Sequence, residues 1–442
     1  MRTKAIFLKN AFLWLTLFFV LVAAPLVLAL IGHEEESRGF WVEFGVGLGF
    51  VGLAMMGLQF LLTARYSKIG APFGLDELLQ FHGKAGYFAW GFIIAHFVIL
   101  FFADSEFHEF LDPRVNFPRA LALSSVIIAI TALIAFTHWR EKIGLVYEWW
   151  RASHGILALF VVFVGTVHIL QVGFYISELW QQAIWVSLSG ITIGLLLHNR
   201  LWRPYQMKKK PYKITNIKKE VDSIWSIELE PQGHWGFEFK AGQFAWITVG
   251  DSPFKLQQHP FTVSSSAERI STLRFTIKEL GDFTSEIGQI EEGSTAFIEG
   301  PYGSFTLSES TATHNIFIVG GIGITPLMSV LQTLRDRGDR RKITVIYGTP
   351  SKELTPFYED LKVLSSELNL DVIFVFEEAD DDWDGETGFI TEEILKKYTP
   401  EDFEICEYFI CGPPPMMDVV EPTITGWGVP VHKVHSERFN IV

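Results

Sequence analysis

The sequence has few cysteines and no excess of positive charge. Its 442 residues include only two cysteines, Cys406 and Cys411, which stand five positions apart near the end of the chain. Two thiols at this spacing form neither a zinc signature nor a disulfide framework, and they are typical of a reducing compartment. The 36 lysines and arginines are outnumbered by 50 aspartates and glutamates, which gives a net charge of −14 at pH 7. This balance argues against nucleic acid as a partner.

Charged residues are also scarce over long stretches of the first 205 residues. Six apolar runs there each approach the roughly 20 residues that a helix needs to span a bilayer. They cover residues 11–31, 41–63, 79–103, 118–137, 150–173 and 176–197. The first run is longer than the apolar part of a typical signal peptide and has no convincing cleavage site, so we interpret it as a span. The sequence therefore predicts a six-helix transmembrane bundle in contact with membrane lipid.

Lysine and arginine are concentrated in alternate loops. They occur at the N-terminus, after span two, between spans four and five, and after span six, where Lys208–Lys210 form a run. The intervening loops are acidic, at residues 34–36 and 104–112. The positive-inside rule then predicts an inner (plasma) membrane protein with both termini, and everything after span six, in the cytoplasm.

The pattern changes near residue 205 to that of a soluble protein with strands and helices. Strands with β-branched alternation are predicted at 225–229, 244–249 and 273–277, and from residue 316 strands alternate with helical segments. This order predicts an antiparallel β-barrel followed by a doubly wound α/β domain with a parallel sheet. We divide the chain into a transmembrane domain (1–205), a β-barrel domain (206–308) and an α/β domain (309–442).

Two of the membrane spans contain two histidines each. Span three has His82 and His96, and span five has His154 and His168, with a separation of fourteen residues in both cases. Fourteen helical residues rise about 21 Å and turn to within about 40° of four full turns, so both histidines of a span lie on nearly one face. Both spans are expected to run in the same direction. His82 should then lie level with His154 (the inner pair), and His96 level with His168 (the outer pair).

A buried histidine can simply bridge two membrane helices through a hydrogen bond. Two pairs at equal spacing favour a different interpretation, in which each pair ligates one haem b. Imidazole is an axial ligand of haem iron, and the porphyrin is apolar enough to lie between helices. With histidine at both axial positions, the predicted chemistry is the transfer of single electrons. Lys84 and Arg151, within a turn of the inner pair, either pair with haem propionates or anchor the chain at the membrane surface.

Two segments of the barrel domain have features of a nucleotide site. HPFTVSS (259–265) can place Phe261 against a flat ring and Thr262 near the edge of that ring. In TIKELGDFT (276–284) the backbone N–H groups at a helix start, together with Thr284, can hold a pyrophosphate, and Lys278 adds charge. Each segment alone is equally typical of an ordinary strand end or turn. EGPYGSF (299–305) is a tight turn that leaves the barrel.

A glycine-rich turn follows the first strand of the α/β domain. In NIFIVGGIGITPLMSVL (315–331) an apolar strand is followed by three glycines and then by Thr325 and Pro326. Thr325 suits an N-cap and Pro326 suits the first helical position. The glycines allow a phosphate-bearing ligand to approach the helix N-terminus. The pattern departs from a plain GxGxxG because Pro326 occupies the position of the last glycine.

A second strand and turn, YFICGPPPMM (408–417), ends at the same edge of the predicted sheet. The carboxyl ends of strands in such sheets form the ligand crevice. Cys411 therefore either approaches a bound nicotinamide or is a core cysteine.

The order HPFT, GDFT, GPYG, GGIGITP and CGPPPMM resembles the ferredoxin–NADP reductase family. Joined to six spans with paired histidines, it is similar to the NADPH oxidase and ferric reductase superfamily, and to bacterial NADPH oxidases in particular. The resemblance covers nearly the whole chain. The combination is specific, although no single motif is.

The resemblance implies FAD and NADPH (or NADH) as cofactors and assigns residues to them. The residues implied to hold FAD are His259, Pro260, Phe261, Thr262, Val263, Ser264, Lys278, Gly281 and Thr284. The residues implied to hold NAD(P)H are Gly320, Gly321, Gly323, Thr325, Pro326, Cys411, Gly412 and Pro413. An aromatic residue near the C-terminus is implied to shield the flavin, and Phe439 matches it, although three residues follow where family members often stop. The residues implied to act at the reacting rings are Thr262, Cys411 and Phe439.

The implied function is electron transfer from cytoplasmic NAD(P)H, through FAD and two haems, to an acceptor outside. Oxygen is the favoured acceptor, with superoxide as the product, and the alternatives are a ferric chelate and a periplasmic protein or quinone. Arg38, Arg114 and Arg119 are outer cations that either serve an anionic acceptor or product or keep the loops soluble. Ser351 and Lys352, after the second strand of the parallel sheet, favour NADPH, with a plain surface charge as the alternative for Lys352.

Overall fold

The structure is a computed structural model that describes residues 2–31, 36–66, 75–307, 310 and 312–438. Within these ranges the side chains of residues 2–11, 75, 76 and 404 are not described. The chain divides into two compact units. One consists chiefly of residues 8–69 and 77–202, and the other chiefly of Arg203–Ile441.

The first unit is built from long apolar helices. In the described part of the chain they are α1 (Arg2–Leu30), α2 (Phe40–Leu62), α3 (Leu75–Ala103), α4 (Phe117–Trp139), α5 (Tyr147–Val172) and α6 (Leu179–Leu197). All six contain a segment long and apolar enough to span a bilayer, which confirms the six spans. The last helix begins at Leu179 rather than at residue 176, because the side chain of Gln181 accepts a hydrogen bond from the Glu178 N–H and caps the helix there.

The helices are apolar on their outer as well as their inner faces. Phe12, Phe88 and Ile128 are among the large apolar side chains that point outward and are exposed, as a lipid environment requires. Small residues allow close packing inside the bundle. A Cβ atom on Gly52 would lie only 2.8 Å from the side chain of Ile93, and such small residues are typical of contacts between membrane helices.

The second unit begins, after a π-helical turn at His198–Trp202, with the short helix α7 (Arg203–Lys208). Six strands then form an antiparallel sheet in the order β4-β3-β6-β1-β2-β5 among the residues described. They are β1 (Tyr212–Val221), β2 (Ile224–Pro231), β3 (Phe244–Val249), β4 (His259–Thr262), β5 (Leu273–Lys278) and β6 (Thr295–Tyr302). A bridge between Val263 and Phe275 joins the two edges, so the sheet closes into the predicted barrel.

A parallel sheet follows, in the order β10-β9-β8-β7-β11-β12 over the described residues. Its elements are β7 (His314–Gly320), α9 (Thr325–Arg337), β8 (Lys342–Thr349), α10 (Tyr358–Glu367), β9 (Leu370–Phe376), β10 (Glu386–Thr387), α11 (Glu392–Tyr398), β11 (Cys406–Cys411), α12 (Pro414–Gly426) and β12 (Val434–Ser436). Every residue of β7 is buried, as expected for a sheet covered on both faces. The strand order reverses between β7 and β11, which places the ligand crevice at their carboxyl ends.

These sheets confirm the fold class expected from the sequence. The predicted strands correspond to β2, β3, β5, β7, β8, β9 and β11, whereas β1, β4, β6, β10 and β12 had not been predicted as separate strands. The antiparallel sheet ends at Tyr302 and the parallel sheet begins at His314. The domain limits at residues 205/206 and 308/309 stay predictions.

A buried ion pair attaches α7 to the barrel. The Arg203 Nη1 atom donates to Glu299 Oε1 at 3.0 Å and to the Tyr302 hydroxyl at 3.3 Å, and that hydroxyl donates to the same Glu299 oxygen at 2.7 Å. The side chains of Arg203 and Glu299 are only 16% and 9% exposed. Because removal of one partner leaves an uncompensated buried charge, the pair is costly to break.

We therefore expect the substitution Arg203→Ala to destabilise the second unit by about 3 kcal/mol. The measurement is the denaturant midpoint of the purified full chain, followed by intrinsic fluorescence. Lys219→Ala is the matched control, because the Lys219–Asp222 pair is exposed and should contribute much less to stability than a buried pair. Equal midpoints for the two variants would show that the Arg203 pair does not hold α7 in place.

Candidate functional site

The inner pair of histidines comes together inside the helical unit. The rings of His82 on α3 and His154 on α5 have centroids 6.1 Å apart, with planes inclined at 55°. Two imidazoles that bind one metal ion through bonds of about 2 Å bring their ring centroids to about 6 Å. The separation therefore fits one metal ion held between the two rings.

The hydrogen bonds of His154 determine which of its nitrogens faces a ligand. The Thr137 hydroxyl donates its only proton to the Leu133 carbonyl oxygen at 2.8 Å. Its oxygen therefore accepts hydrogen bonds from Trp150 Nε1 and from His154 Nδ1, both at 3.3 Å. With the proton on Nδ1, the Nε2 atom of His154 carries the lone pair that a metal requires.

One histidine of the outer pair makes the same kind of hydrogen bond to a different acceptor. His96 Nδ1 lies 2.8 Å from the Gly45 carbonyl oxygen on α2. A carbonyl oxygen only accepts, so His96 carries its proton on Nδ1 and presents the Nε2 lone pair. A Cβ atom on Gly49 would lie 2.6 Å from that Nδ1 atom, so only glycine leaves room for the ring in this position.

His96 and His168 both line one cavity of about 1330 Å³, a volume that includes the open space at its mouth. Its other lining residues are mostly aliphatic or phenylalanine, as in sites for large apolar ligands. Phe110 contacts the His168 ring edge to face, with centroids 6.2 Å apart. The donor set and the apolar walls fit a haem in this cavity.

Three outer arginines were singled out in the sequence, and of these Arg38 lines the cavity. It lies 4.0 Å from the centroid of the Phe174 ring, and its Nη2 atom donates to the Tyr175 hydroxyl at 3.2 Å. The Tyr175 hydroxyl donates in turn to Glu43 Oε2 at 2.8 Å. Arg38 is thus held in a fixed position at the wall of the cavity.

The other two outer arginines have local roles. Arg114 pairs with Asp112 at 2.7 Å and holds the pKa of that carboxyl at about 2. Arg119 lies 4.3 Å from the centroid of the Phe110 ring and donates to the Glu109 carbonyl oxygen at 3.0 Å. Neither lines the cavity within the part of the chain described.

The two cations near the inner pair differ in exposure. Lys84 is exposed, whereas Arg151 is half-buried with its guanidinium carbon 5.9 Å from the centroid of the Tyr147 ring. Their pairing with haem propionates stays a prediction.

The barrel brings two of the predicted flavin segments together. His259 on β4 stacks on Phe283, which lies in the short helix α8 (Asp282–Ser285), with ring centroids 4.1 Å apart and planes 10° from parallel. Phe261 lies alongside both rings at 6.2 Å. Phe283 had not been singled out in the sequence, although it is the aromatic residue of the GDFT segment. These flat rings present a surface suited to another aromatic ring system.

Two hydroxyls assigned to the flavin site are already used within the protein. The Thr284 hydroxyl accepts from the N–H groups of Leu280 and Gly281, both at 2.8 Å, and donates to the Gly281 carbonyl oxygen at 3.0 Å. It therefore closes the Gly-Asp turn. Ser264 is fully buried and donates to the Arg274 carbonyl oxygen. Thr262 and Val263 are buried, and Lys278 is exposed at the end of β5.

The two loops of the α/β domain meet at the carboxyl ends of β7 and β11. A Cβ atom on Gly323 would lie 2.3 Å from the Cys411 carbonyl oxygen, and one on Gly320 would lie 2.7 Å from Pro413 Cδ. These glycines are needed because the loops touch each other. Gly321 differs, since it has a φ of +52° and open space around it. The residues predicted for NAD(P)H thus lie on two loops that touch each other, and their binding of the nucleotide stays a prediction.

Helix α9 begins at Thr325, and its N-cap residue is Ile324. The N-cap prediction for Thr325 was thus wrong by one residue, and Pro326 lies at the second helical position. The cause is a 3₁₀ turn at Gly321–Ile324 that continues directly into the helix. The Thr325 hydroxyl donates to the Ile322 carbonyl oxygen at 3.1 Å and stabilises this junction.

Cys411 is a buried core residue in this structure. Its side chain packs with Phe317 and Phe409, and burial raises the pKa of its thiol. Its approach to a nicotinamide stays a prediction. Phe439 lies outside the described residues. Glu437, which had not been singled out, is buried near Cys411 and close to Gly303 of the GPYG turn, so the C-terminal segment reaches the edge of the barrel.

The residues that favoured NADPH lie after β8. The Ser351 hydroxyl donates to Glu353 Oε2 at 3.0 Å, and Lys352 Nζ lies 5.6 Å from the centroid of the Tyr358 ring. Lys362 approaches the same ring at 4.2 Å. Their contact with a 2′-phosphate stays a prediction.

Three parts of the chain match known families. Residues 48–165 match the family described as "Ferric reductase like transmembrane component". Residues 209–306 match "FAD-binding domain", and residues 317–421 match "Oxidoreductase NAD-binding domain". The matched regions follow the order of the helices, the antiparallel sheet and the parallel sheet.

Two curated relatives resemble part of the chain. The reductase component of propane 2-monooxygenase from Rhodococcus jostii (strain RHA1) is 27% identical over 237 residues, which are 51% of this chain and 62% of the relative, less than two thirds of its length. NADH-cytochrome b5 reductase 1 from Pyricularia oryzae is 28% identical over 306 residues, which are 63% of this chain and 97% of the relative.

One solved structure aligns with most of the chain. It is a flavohemoglobin from Malassezia yamatoensis with bound FAD and heme, with a TM-score of 0.51 and 19% identity, covering 90% of this chain and 96% of that one. At this identity the likeness concerns the fold alone.

Burial of both cysteines leads to a test of thiol reactivity. Burial raises the pKa of Cys406 to about 11 and also raises the pKa of Cys411. Both thiols should therefore stay protonated and unmodified by maleimide at about pH 8, where a free cysteine already reacts. Cys406 should begin to react only as the pH approaches its raised pKa. The mass of the intact chain, labelled while folded, measures the number of maleimide adducts. Two adducts are expected when the chain is labelled after denaturation. Rapid modification of the folded chain would contradict the burial of the thiols.

Proposed function

We propose that this chain is an NAD(P)H oxidase that reduces oxygen to superoxide on the outer side of a membrane. Its domains match those of the NADPH oxidase and ferric reductase superfamily, with a ferredoxin–NADP reductase-type dehydrogenase. At the coarser level, it is a multi-pass membrane oxidoreductase with FAD-binding and NAD-binding domains, built for transmembrane electron transfer from NAD(P)H. The haems, the acceptor, the inner membrane and the orientation are part of the proposal.

One observation carries the proposal, namely two pairs of membrane histidines in which one histidine of each pair has its Nδ1 proton committed to a fixed acceptor. His154 donates to Thr137 and His96 donates to Gly45. Each thus presents Nε2 towards its partner on the other helix, the donor set that haem iron takes. The inner pair would hold one haem b and the outer pair the other.

When bound, FAD and the two haems supply hydride acceptance and single-electron transfer. The residues of this chain determine where that chemistry takes place. The stacked rings of His259 and Phe283 and the half-buried Phe261 offer a flat surface to the flavin. The loops around Gly320 and Gly412 leave a crevice at the carboxyl ends of the strands for the nicotinamide nucleotide.

The outer cavity favours a small acceptor. If the two pairs held the two haems, histidine would supply the ligands of each iron, and the acceptor would be bound by the residues of the cavity wall. That wall is apolar except for a few groups, among which Arg38 brings a positive charge that favours an anionic product. Oxygen and superoxide fit these features better than a bulky ferric chelate. The apolar lining supports a quinone as the second candidate acceptor.

The charge pattern of the loops supports a cytoplasmic dehydrogenase with both termini on the same side. Electrons would then move outward, and a membrane potential that is negative inside would assist each electron by about 2.3 kcal/mol per 100 mV. Ser351 and Lys352 support NADPH over NADH as the electron donor.

The ligand assignment predicts a specific effect of one added methyl group. Gly49→Ala should displace the His96 ring, because the new Cβ atom would lie 2.6 Å from Nδ1, and the haem content of the purified chain should fall from about two towards one. Gly47→Ala is the matched control on the same helix, since its Cβ atom would meet Leu26 at an ordinary 3.8 Å. Retention of both haems with an unchanged spectrum in Gly49→Ala would refute the assignment.

The acceptor is tested with the full chain in nanodiscs, loaded with haem and FAD and supplied with NADPH. We expect NADPH consumption to require oxygen and to produce a cytochrome c reduction signal that superoxide dismutase abolishes. Parallel assays without oxygen contain either a ferric chelate or a soluble quinone. Equal NADPH consumption with and without oxygen, and no dismutase-sensitive signal, would exclude the oxidase and favour the acceptor that sustains turnover.

A further inference from the structure

Among the described residues of the barrel, Trp235 is the most exposed large apolar side chain, at 93% of its full accessibility. It lies in the loop between β2 and β3, outside the candidate flavin and nicotinamide sites. An indole is costly to expose to water, and tryptophan is enriched where proteins meet the headgroups of a membrane. The attachment of this loop to the rest of the barrel bears on which surface the indole contacts.

The loop is held in one conformation by its neighbours. The N–H of Gly236 donates to His234 Nδ1 at 3.3 Å, so the proton of that imidazole is on Nε2. Nε2 donates to the Pro211 carbonyl oxygen at 2.9 Å, and the Gln232 N–H donates to the same oxygen at 2.9 Å. The His234 ring also packs edge to face on Tyr212, with centroids 4.7 Å apart. The loop is therefore attached to the start of β1.

The backbone immediately after the indole is also constrained. Gly236 has a φ of +117°, and a Cβ atom there would lie 2.0 Å from the Ile270 carbonyl oxygen. The Phe237 N–H donates to that oxygen at 3.1 Å. No residue other than glycine fits at this position of the turn. Trp235 is thus exposed on an ordered turn that is held by hydrogen bonds on both sides.

The attachment point directly follows the end of a membrane-spanning segment. The last apolar segment extends over Leu179–Lys208, and Lys208–Lys210 are all exposed. Pro211, which accepts the two hydrogen bonds from the loop, is the next residue. Lysines beside a membrane helix are attracted to anionic headgroups, at about 1 kcal/mol for each residue near the surface. The loop that carries the exposed indole is therefore hydrogen-bonded to the residue that directly follows the three lysines.

We propose that Trp235 and Lys208–Lys210 form a lipid-docking surface. In this arrangement the indole lies at the headgroup level of an anionic phospholipid leaflet, and the lysine ammonium groups bind the lipid phosphates. The surface depends on the membrane-spanning character of the chain and is independent of the electron acceptor and of haem binding. A peripheral contact of this kind combines an aromatic anchor with electrostatic attraction.

The test places an environment-sensitive fluorophore at the indole position of the full chain in nanodiscs. Trp235→Cys introduces an accessible thiol, whereas Cys406 and Cys411 are buried, and the unsubstituted chain serves as the labelling control. In nanodiscs that contain phosphatidylglycerol, we expect blue-shifted emission that is mostly lost when lipids with quenchers near the headgroup are included. High salt should restore much of the emission, because it screens the lysines.

Phe389→Cys is the matched control, since Phe389 is also highly exposed, at 73%, but lies beyond β10 in the α/β domain. Its label should be insensitive to the lipid quenchers. A variant with Lys208, Lys209 and Lys210 all changed to glutamine should reduce the quenching at position 235. Emission and quenching at position 235 equal to those at position 389 would overturn the proposal. Quenching that is the same with pure phosphatidylcholine and unaffected by the lysine substitutions would overturn its anionic-lipid component.

Discussion

The structure of the helical unit depends on hydrogen bonds that hold membrane histidines in a single tautomer. Inside a bilayer no water can satisfy a ring N–H group, so the protein must supply the acceptor. The Gly45 carbonyl oxygen does this for His96 and the Thr137 hydroxyl does it for His154. Each bond removes one nitrogen from competition and directs the other towards the partner helix. If these acceptors were missing, equal spacing along the helices would still align the rings but would not orient their lone pairs.

The second constraint is that some backbone segments must approach a side chain or another loop closely. Glycine makes this approach possible in both units. Gly49 leaves space for the His96 ring, and Gly323 allows the loop after β7 to touch the loop after β11. In the second unit the buried pair of Arg203 and Glu299 attaches the helix that follows the last span to the barrel. Glycine at a close approach therefore serves both the helical unit and the parallel sheet, at positions next to the residues predicted to bind cofactors.

Periodicity made the architecture predictable from the sequence. Apolar runs of span length, a fourteen-residue repeat of histidine and the alternation of strands with helices are all local patterns, and the structure agrees with them. Contacts between distant residues were not predictable in this way. Gly45 and His96 are 51 positions apart, and Arg203 and Glu299 are 96 apart. The stack of His259 on Phe283 and the attachment of the Trp235 loop to Pro211 likewise depend on strand order. The N-cap of α9 moved by one residue because a 3₁₀ turn replaced the expected break.

The central claim is that each histidine pair holds one haem b with imidazole on both sides of the iron. The most direct measurement is the electron paramagnetic resonance spectrum of the purified, oxidised full chain, combined with its haem-to-protein ratio. The account predicts about two haems for each chain, both low-spin with the signature of two axial imidazoles. A ratio of one or less after haem loading, or a high-spin signal from an iron with an open coordination position, would contradict it.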